Sequence, residues 1–120
     1  PYHLIGLELG VSVASVGLRA EPTGCAQAWH GDVVATAKRD LKAGETLDGE
    51  GGFTVYGKLM PARDSLALGG LPLGLAHGVK LKRRIAAGTP VRWSDVVIDA
   101  TSQAVRFRRD MERSFRRDPA

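Results

Sequence analysis

The sequence predicts a small, mainly β domain with flanking helices and an internal pseudo-two-fold repeat. Three observations predict it. Fifteen glycines and six prolines in 120 residues call for many tight turns, which suits short strands better than a helical bundle. Three segments read as strands, the β-branched DVVATAK at 32–38, TVYGKLM at 54–60 and VKLKR at 79–83, set between Gly- and Asp-containing stretches. Finally, KRDLKAGETL at 38–47 returns as KRRIAAGTPV at 82–91, an offset of 44 residues.

Residues 2–19 carry two periods. Leu7, Leu9, Val11 and Val13 alternate like a strand, whereas His3, Leu7, Val11, Ala14 and Leu18 follow helical spacing. The run is too long for an ordinary strand and Pro22 closes it, so a helix is expected. It is apolar on nearly every side and must be covered by something larger than the domain that follows. Gly6, Gly10, Ala14 and Gly17 give it a small-residue face that lets a neighbour approach closely. Residues 21–31 (EPTGCAQAWHG) read as a loop.

The first strand, 32–38, leads into a turn at 40–45 in which Gly44 is free to take a positive φ. A flexible GEGG loop at 49–52 precedes the second strand. Pro61 opens a short helix over 62–68 that Gly69 and Gly70 stop. Residues 71–78 (LPLGLAHG) are apolar and irregular before the third strand. The second copy of the repeat carries its own turn at Gly88, then a tight turn at Trp93, Ser94 and Asp95, then a strand over 96–99. Leu41 matches Ile85 and Leu47 matches Val91, so two half-motifs are expected to cover each other's apolar faces. Residues 101–117 form a helix that Thr101 or Ser102 caps and Pro119 ends. Arg106–Asp110 and Glu112–Arg116 are expected as i, i+4 pairs on its solvated side.

Charge and cysteine usage exclude several function classes. The formal charge is +4, and residues 106–118 carry +3 of it, with six arginines against Asp110, Glu112 and Asp118. One basic tail with few aromatics beside it does not make a nucleic-acid groove. Cys25 is the only cysteine, which rules out an internal disulfide and a CxxC zinc site, and there is no HxxxH or HExxH spacing. Residues 1–18 lack a basic leader region and contain His3, Glu8 and three glycines, so neither a signal peptide nor a membrane span is expected. The chain reads as the C-terminal part of a larger cytoplasmic protein.

Candidate chemistry is sparse. His77 sits in the apolar LPLGLAHG segment, where a partly buried histidine bonded to backbone competes with a polar contact to a substrate. Lys58, Arg63 and Lys80 are the cations nearest that segment, and each also reads as a solvated surface charge. Asp40, Glu45, Asp48 and Glu50 cluster in sequence, but they lie on turns with no apolar pocket to raise a pKa, so turn chemistry is favoured over acid–base work.

The repeated strand–K/R–x–[LI]–x–A–G–[ET] pattern resembles the SAF domain, an antifreeze-like β-clip module also seen in type III antifreeze proteins and at the C-terminus of sialic acid synthases; the likeness covers residues 32–99. PYHLIGLELGVSVAS, DGEGGFTVYGKLMPA and LPLGLAHGVKLKR look like the C-terminal region of homoserine-dehydrogenase-like oxidoreductases, a group that includes 1-deoxy-D-xylulose 5-phosphate reductoisomerase-like enzymes of isoprenoid biosynthesis. The resemblance implies that residues 1–31 end a preceding catalytic domain and that 32–100 are the SAF domain; residues 101–120 are then expected as a C-terminal basic helix. It implies NAD(P)H for the parent enzyme, though not for this chain, where no strand–GxGxxG–helix unit exists. In sialic acid synthases a SAF domain lends a basic side chain to a neighbouring active site, which by analogy makes Lys58 or Arg63 an anion contact. The expected function is an accessory domain, non-catalytic alone, that serves assembly or active-site closure. The expected partners are the preceding catalytic domain and further copies of the chain. The alternative is a free-standing module binding a sugar acid, another anion or a protein.

Overall fold

The computed structural model describes residues 3–117, with the backbone alone for Arg117. Tyr2, where the first apolar run begins, and Pro119, the expected helix stop, lie outside the described residues.

The first run is a helix, α1 (Ile5–Arg19), ended by Ala20 at a φ of 54°, whose N–H reaches the Val16 carbonyl at 3.1 Å. The left-handed turn brings the chain back along the helix, and the Ser15 hydroxyl donates to the Glu21 carbonyl at 3.0 Å. No residue of α1 is buried, and Leu7 and Leu18 are 70 % and 86 % exposed. The β-domain therefore does not cover this helix.

The domain proper begins at β1 (Gly31–Ala37), which pairs antiparallel with β3 (Val55–Pro61), Val34 standing opposite Lys58. The other edge of β1 meets the returning chain: Ala35 N–H donates to Leu71 O, Val91 N–H to Ala35 O, and Ala37 N–H to Thr89 O, at 2.8–3.0 Å. With neighbours on both edges and both faces, Ala35, Thr36 and Ala37 are fully buried, and small side chains suit that crowding. A second sheet has the order β2 (Thr46–Asp48), β4 (His77–Leu81), β5 (Val96–Val97), all antiparallel. Between them lie α2 (Ala62–Leu68), stopped by Gly69 at φ 68°, and 3₁₀ turns at Leu73–Leu75 and Trp93–Asp95. Asp95, buried in the second turn, holds it by accepting from Arg92 N–H at 2.9 Å and Arg83 Nε at 2.6 Å. The helix α3 (Gln103–Arg117) follows. The domain is thus a mainly β fold with flanking helices, and Leu41, Leu47, Val55, Leu71, Leu81, Ile85, Val91 and Val96 form its core.

The two repeated segments exchange backbone bonds. Leu41 N–H donates to Ile85 O at 2.8 Å and Ile85 N–H to Leu41 O at 3.0 Å. Gly44 N–H reaches Leu81 O at 2.7 Å, and Gly88 N–H reaches Ala37 O at 2.8 Å. Both glycines have a positive φ, 81° and 75°, and an added Cβ at either would meet nothing within 4 Å. Strain is then the whole effect of a side chain there. Gly44→Ala and Gly88→Ala should each destabilise by about 1–2 kcal/mol. Thermal denaturation reads this directly, and an unchanged Tm in both variants contradicts it.

Several sequence expectations need correction. The last strand stops at Val97 instead of Asp99, because β4 offers only Lys80 and Leu81 as partners. Asp99 turns its carboxylate onto Thr101, accepting its N–H at 2.8 Å and its hydroxyl at 2.6 Å. The helix therefore begins at Gln103, and the Ser102 carbonyl accepts the Arg106 N–H at 3.0 Å. Thr46–Asp48, between the expected turn at 40–45 and the loop at 49–52, is a strand, and the third strand starts two residues early, at His77. On α3, Asp110 pairs with Arg113 in place of Arg106. Glu112 is buried and pairs with Arg108 and Arg109 in place of Arg116, so one side of this helix is not solvated as expected.

Candidate functional site

The three candidate contacts do not converge. Lys58 lies exposed on β3, in the first sheet. His77 opens β4, in the second sheet, opposite Asp48. It is exposed, not partly buried, and its Nδ1 donates to the Asp48 carbonyl at 3.0 Å, which ties it to the neighbouring strand. Arg63 is the second residue of α2, with its side chain 88 % exposed and Asp64 at 3.5 Å. It lines a cleft that includes neither Lys58 nor His77.

Asp40, Glu45 and Asp48 are held ionised. Asp40 crosses between the repeats, accepting from Ala87 N–H at 2.9 Å and Arg84 at 2.5 Å, and these donors keep its pKa below the ordinary carboxylate value. Arg39 and the Lys42 N–H do the same for Glu45. Asp48 accepts from the Thr54 hydroxyl and from the N–H groups of Phe53 at 2.6 Å and Thr54 at 3.0 Å, which brings it down to about 2. A general acid or base needs a pKa near the working pH. These carboxylates are displaced the other way, so they serve as acceptors that close turns.

The densest chemistry is a buried charge cluster that sequence reasoning missed. Arg108 of α3 grips Asp32 of β1 with two parallel hydrogen bonds, Nη1 to Oδ1 at 2.9 Å and Nη2 to Oδ2 at 2.6 Å. Its Nε donates to Glu112 at 2.9 Å, and the Ser65 hydroxyl of α2 donates to Asp32. Glu112 also accepts Trp93 Nε1 at 3.1 Å and Arg109 at 2.8 Å, while the Arg109 guanidinium lies 3.8 Å over the Trp93 ring. The Arg108 guanidinium stacks 4.5 Å over Trp29, whose ring meets Phe115 edge-on at 5.4 Å. The side chains of Arg108, Asp32 and Glu112 are 12 %, 6 % and 7 % exposed. Burial pushes the Asp32 carboxyl up, but the Arg108 and Ser65 hydrogen bonds outweigh it and hold the pKa low. Burial likewise pushes Arg108 down, and Asp32 and Glu112 outweigh that and raise it. Charges fixed this firmly clamp α3 and the Trp29 loop to the β-domain.

Among the described residues no three or more His, Cys, Asp or Glu gather as a metal site, and no helix is long and apolar enough to cross a membrane. Cys25 is an exposed free thiol.

With this geometry in place, the comparison with protein families is specific. The SAF domain model matches residues 32–97, which run from β1 to the end of β5. The chain belongs to the SAF domain family. A search of curated proteins with the whole sequence finds no match.

Proposed function

We propose that this chain is the SAF-domain portion of a larger cytoplasmic NAD(P)-dependent oxidoreductase, of the homoserine-dehydrogenase-like or deoxyxylulose-phosphate-reductoisomerase-like kind. It serves assembly or active-site closure and is not catalytic by itself. Its repeated segments are halves of a pseudo-two-fold unit, a reading that the reciprocal Leu41–Ile85 and glycine-turn bonds support.

The observation that carries the accessory role is α1. Fifteen residues form a helix in which none is buried, and Leu4, Ile5, Leu7, Leu9, Val11, Val13, Val16 and Leu18 are all more than half exposed. A lone helix of that length is marginal in water, and a continuous apolar surface of that extent belongs against a partner. The preceding catalytic domain is that partner in the parent, and it also holds NAD(P)H. In the chain alone, a second copy takes its place, with Leu4, Leu7, Val11 and Leu18 in the interface.

Light scattering and calorimetry on the purified chain test this reading. The expected result is a dimer or higher oligomer at micromolar concentration, with no NAD(P)H binding. A monomer with α1 folded back on its own β-domain, or measurable NAD(P)H oxidation, overturns it.

A further inference from the structure

The cleft that Arg63 lines has a composition of its own. It lies between the loop after α1, α2 and the end of α3, has a volume of about 310 Å³, and is bounded chiefly by Trp29, His30, Arg63, Leu66, Phe115 and Arg116. Its walls are tied to one another. The Ala62 N–H donates to the His30 carbonyl at 2.9 Å, and Arg116 donates to the Leu66 carbonyl at 3.1 Å. Its floor is fixed as well, because one face of Trp29 rests on Arg108, which the buried Asp32 and Glu112 hold in place. Small-molecule sites are concave, mostly apolar, and carry a few well-placed polar groups. This cleft fits that description. Trp29, Leu66 and Phe115 supply apolar surface, the lining includes two arginines, and among the described residues no carboxylate lines it. Among the described residues Asp64 is the acid paired with Arg63, at 3.5 Å, and both are largely solvated, so their attraction is weak.

We infer that the cleft binds a small organic acid with an apolar body, its ring or chain against Trp29 and Phe115 and its carboxylate at Arg63 and Arg116. Charge complementarity selects the anion, since a carboxylate can take paired N–H donors from guanidinium. Size selects a small molecule: about 310 Å³ is at the lower end of ligand-site volumes. The inference goes beyond the accessory role and does not rest on it, because no residue of α1 bounds the cleft.

Phenylacetate is the probe, followed by calorimetry and by tryptophan fluorescence on the full chain. Saturable binding in the millimolar range or tighter is expected, with phenylacetamide, the neutral isostere, at least about tenfold weaker. Arg63→Ala, at a side chain 88 % exposed, leaves the fold intact and should weaken phenylacetate severalfold. The double variant Arg63→Ala, Arg116→Ala should abolish saturable binding. Absence of saturable binding to the unmodified chain, equal affinity for phenylacetamide, or inorganic phosphate binding as tightly as phenylacetate would each overturn the proposal. An acidic peptide that binds more tightly than phenylacetate, with the same sensitivity to Arg63→Ala, would move the site to a protein partner and overturn it too.

Discussion

Arg108→Met is expected to destabilise the protein by about 3–5 kcal/mol, the usual effect of removing one partner from a buried ion pair. Arg108 satisfies both oxygens of Asp32 and one of Glu112, and all three side chains are nearly enclosed. Methionine fills much of the space but leaves two carboxylates without their shared cation. Arg108→Lys should rescue only part of the loss, because an ammonium cannot present the planar fork that Asp32 accepts. The pH dependence identifies the cause. Asp32 has a folded pKa below its unfolded value, so its contribution is present above about pH 4 and is lost as pH falls through the folded value. Asp48, at about 2, also loses its contribution in acid. In Arg108→Met, burial without a cation raises the Asp32 pKa, and that carboxyl takes up a proton readily. The gap between the native protein and the variant should therefore narrow between pH 7 and pH 3. Urea denaturation at the two pH values measures it, and a gap that is small at pH 7 or does not change with pH refutes the argument.

Leu41→Ala and Ile85→Ala are each expected to cost about 2–5 kcal/mol. The two residues are 0 % and 3 % exposed, and their backbones are joined by a reciprocal pair of hydrogen bonds. Truncating either side chain leaves a cavity that the surrounding strands cannot close without breaking that pair. The double variant should lose less than the sum of the single ones, since both side chains belong to one core cluster. Equilibrium denaturation provides the cycle. A loss below about 1 kcal/mol for either single variant would show that the site collapses freely.

What the sequence could reveal depended on how local the cause was. β1, β3 and α2 were legible because each carries its own signal: a β-branched run, or a proline start with a double-glycine stop. Gly44 and Gly88 were legible as turns because the repeat placed them in matching context. β2 was not legible, since three residues cannot display a period and Thr46–Asp48 is a strand only because β4 lies beside it. The charge cluster was less legible still. Asp32 and Arg108 are 76 residues apart, and nothing near either one announces the other. Helical spacing puts Arg108 on one face with Met111 and Phe115, and Glu112 pairs with Arg108, one turn back, where the expected i, i+4 pair ran forward to Arg116. An arginine in the middle of an apolar face was the available signal. The three candidate contacts lie in or near one irregular segment of the sequence, and the fold distributes them over two sheets and a helix.

The exchange of bonds between the two turn segments also governs how the chain can fold. Gly44 needs the Leu81 carbonyl and Gly88 needs the Ala37 carbonyl, so neither segment can finish its own hydrogen bonding. An early intermediate with one half formed would have unpaired amides and an open apolar face, and would gain little from forming. The closure of a long loop must come before that reward, which favours a single cooperative barrier over stepwise assembly. A chain cut between the segments should give two disordered fragments that regain structure only in each other's presence.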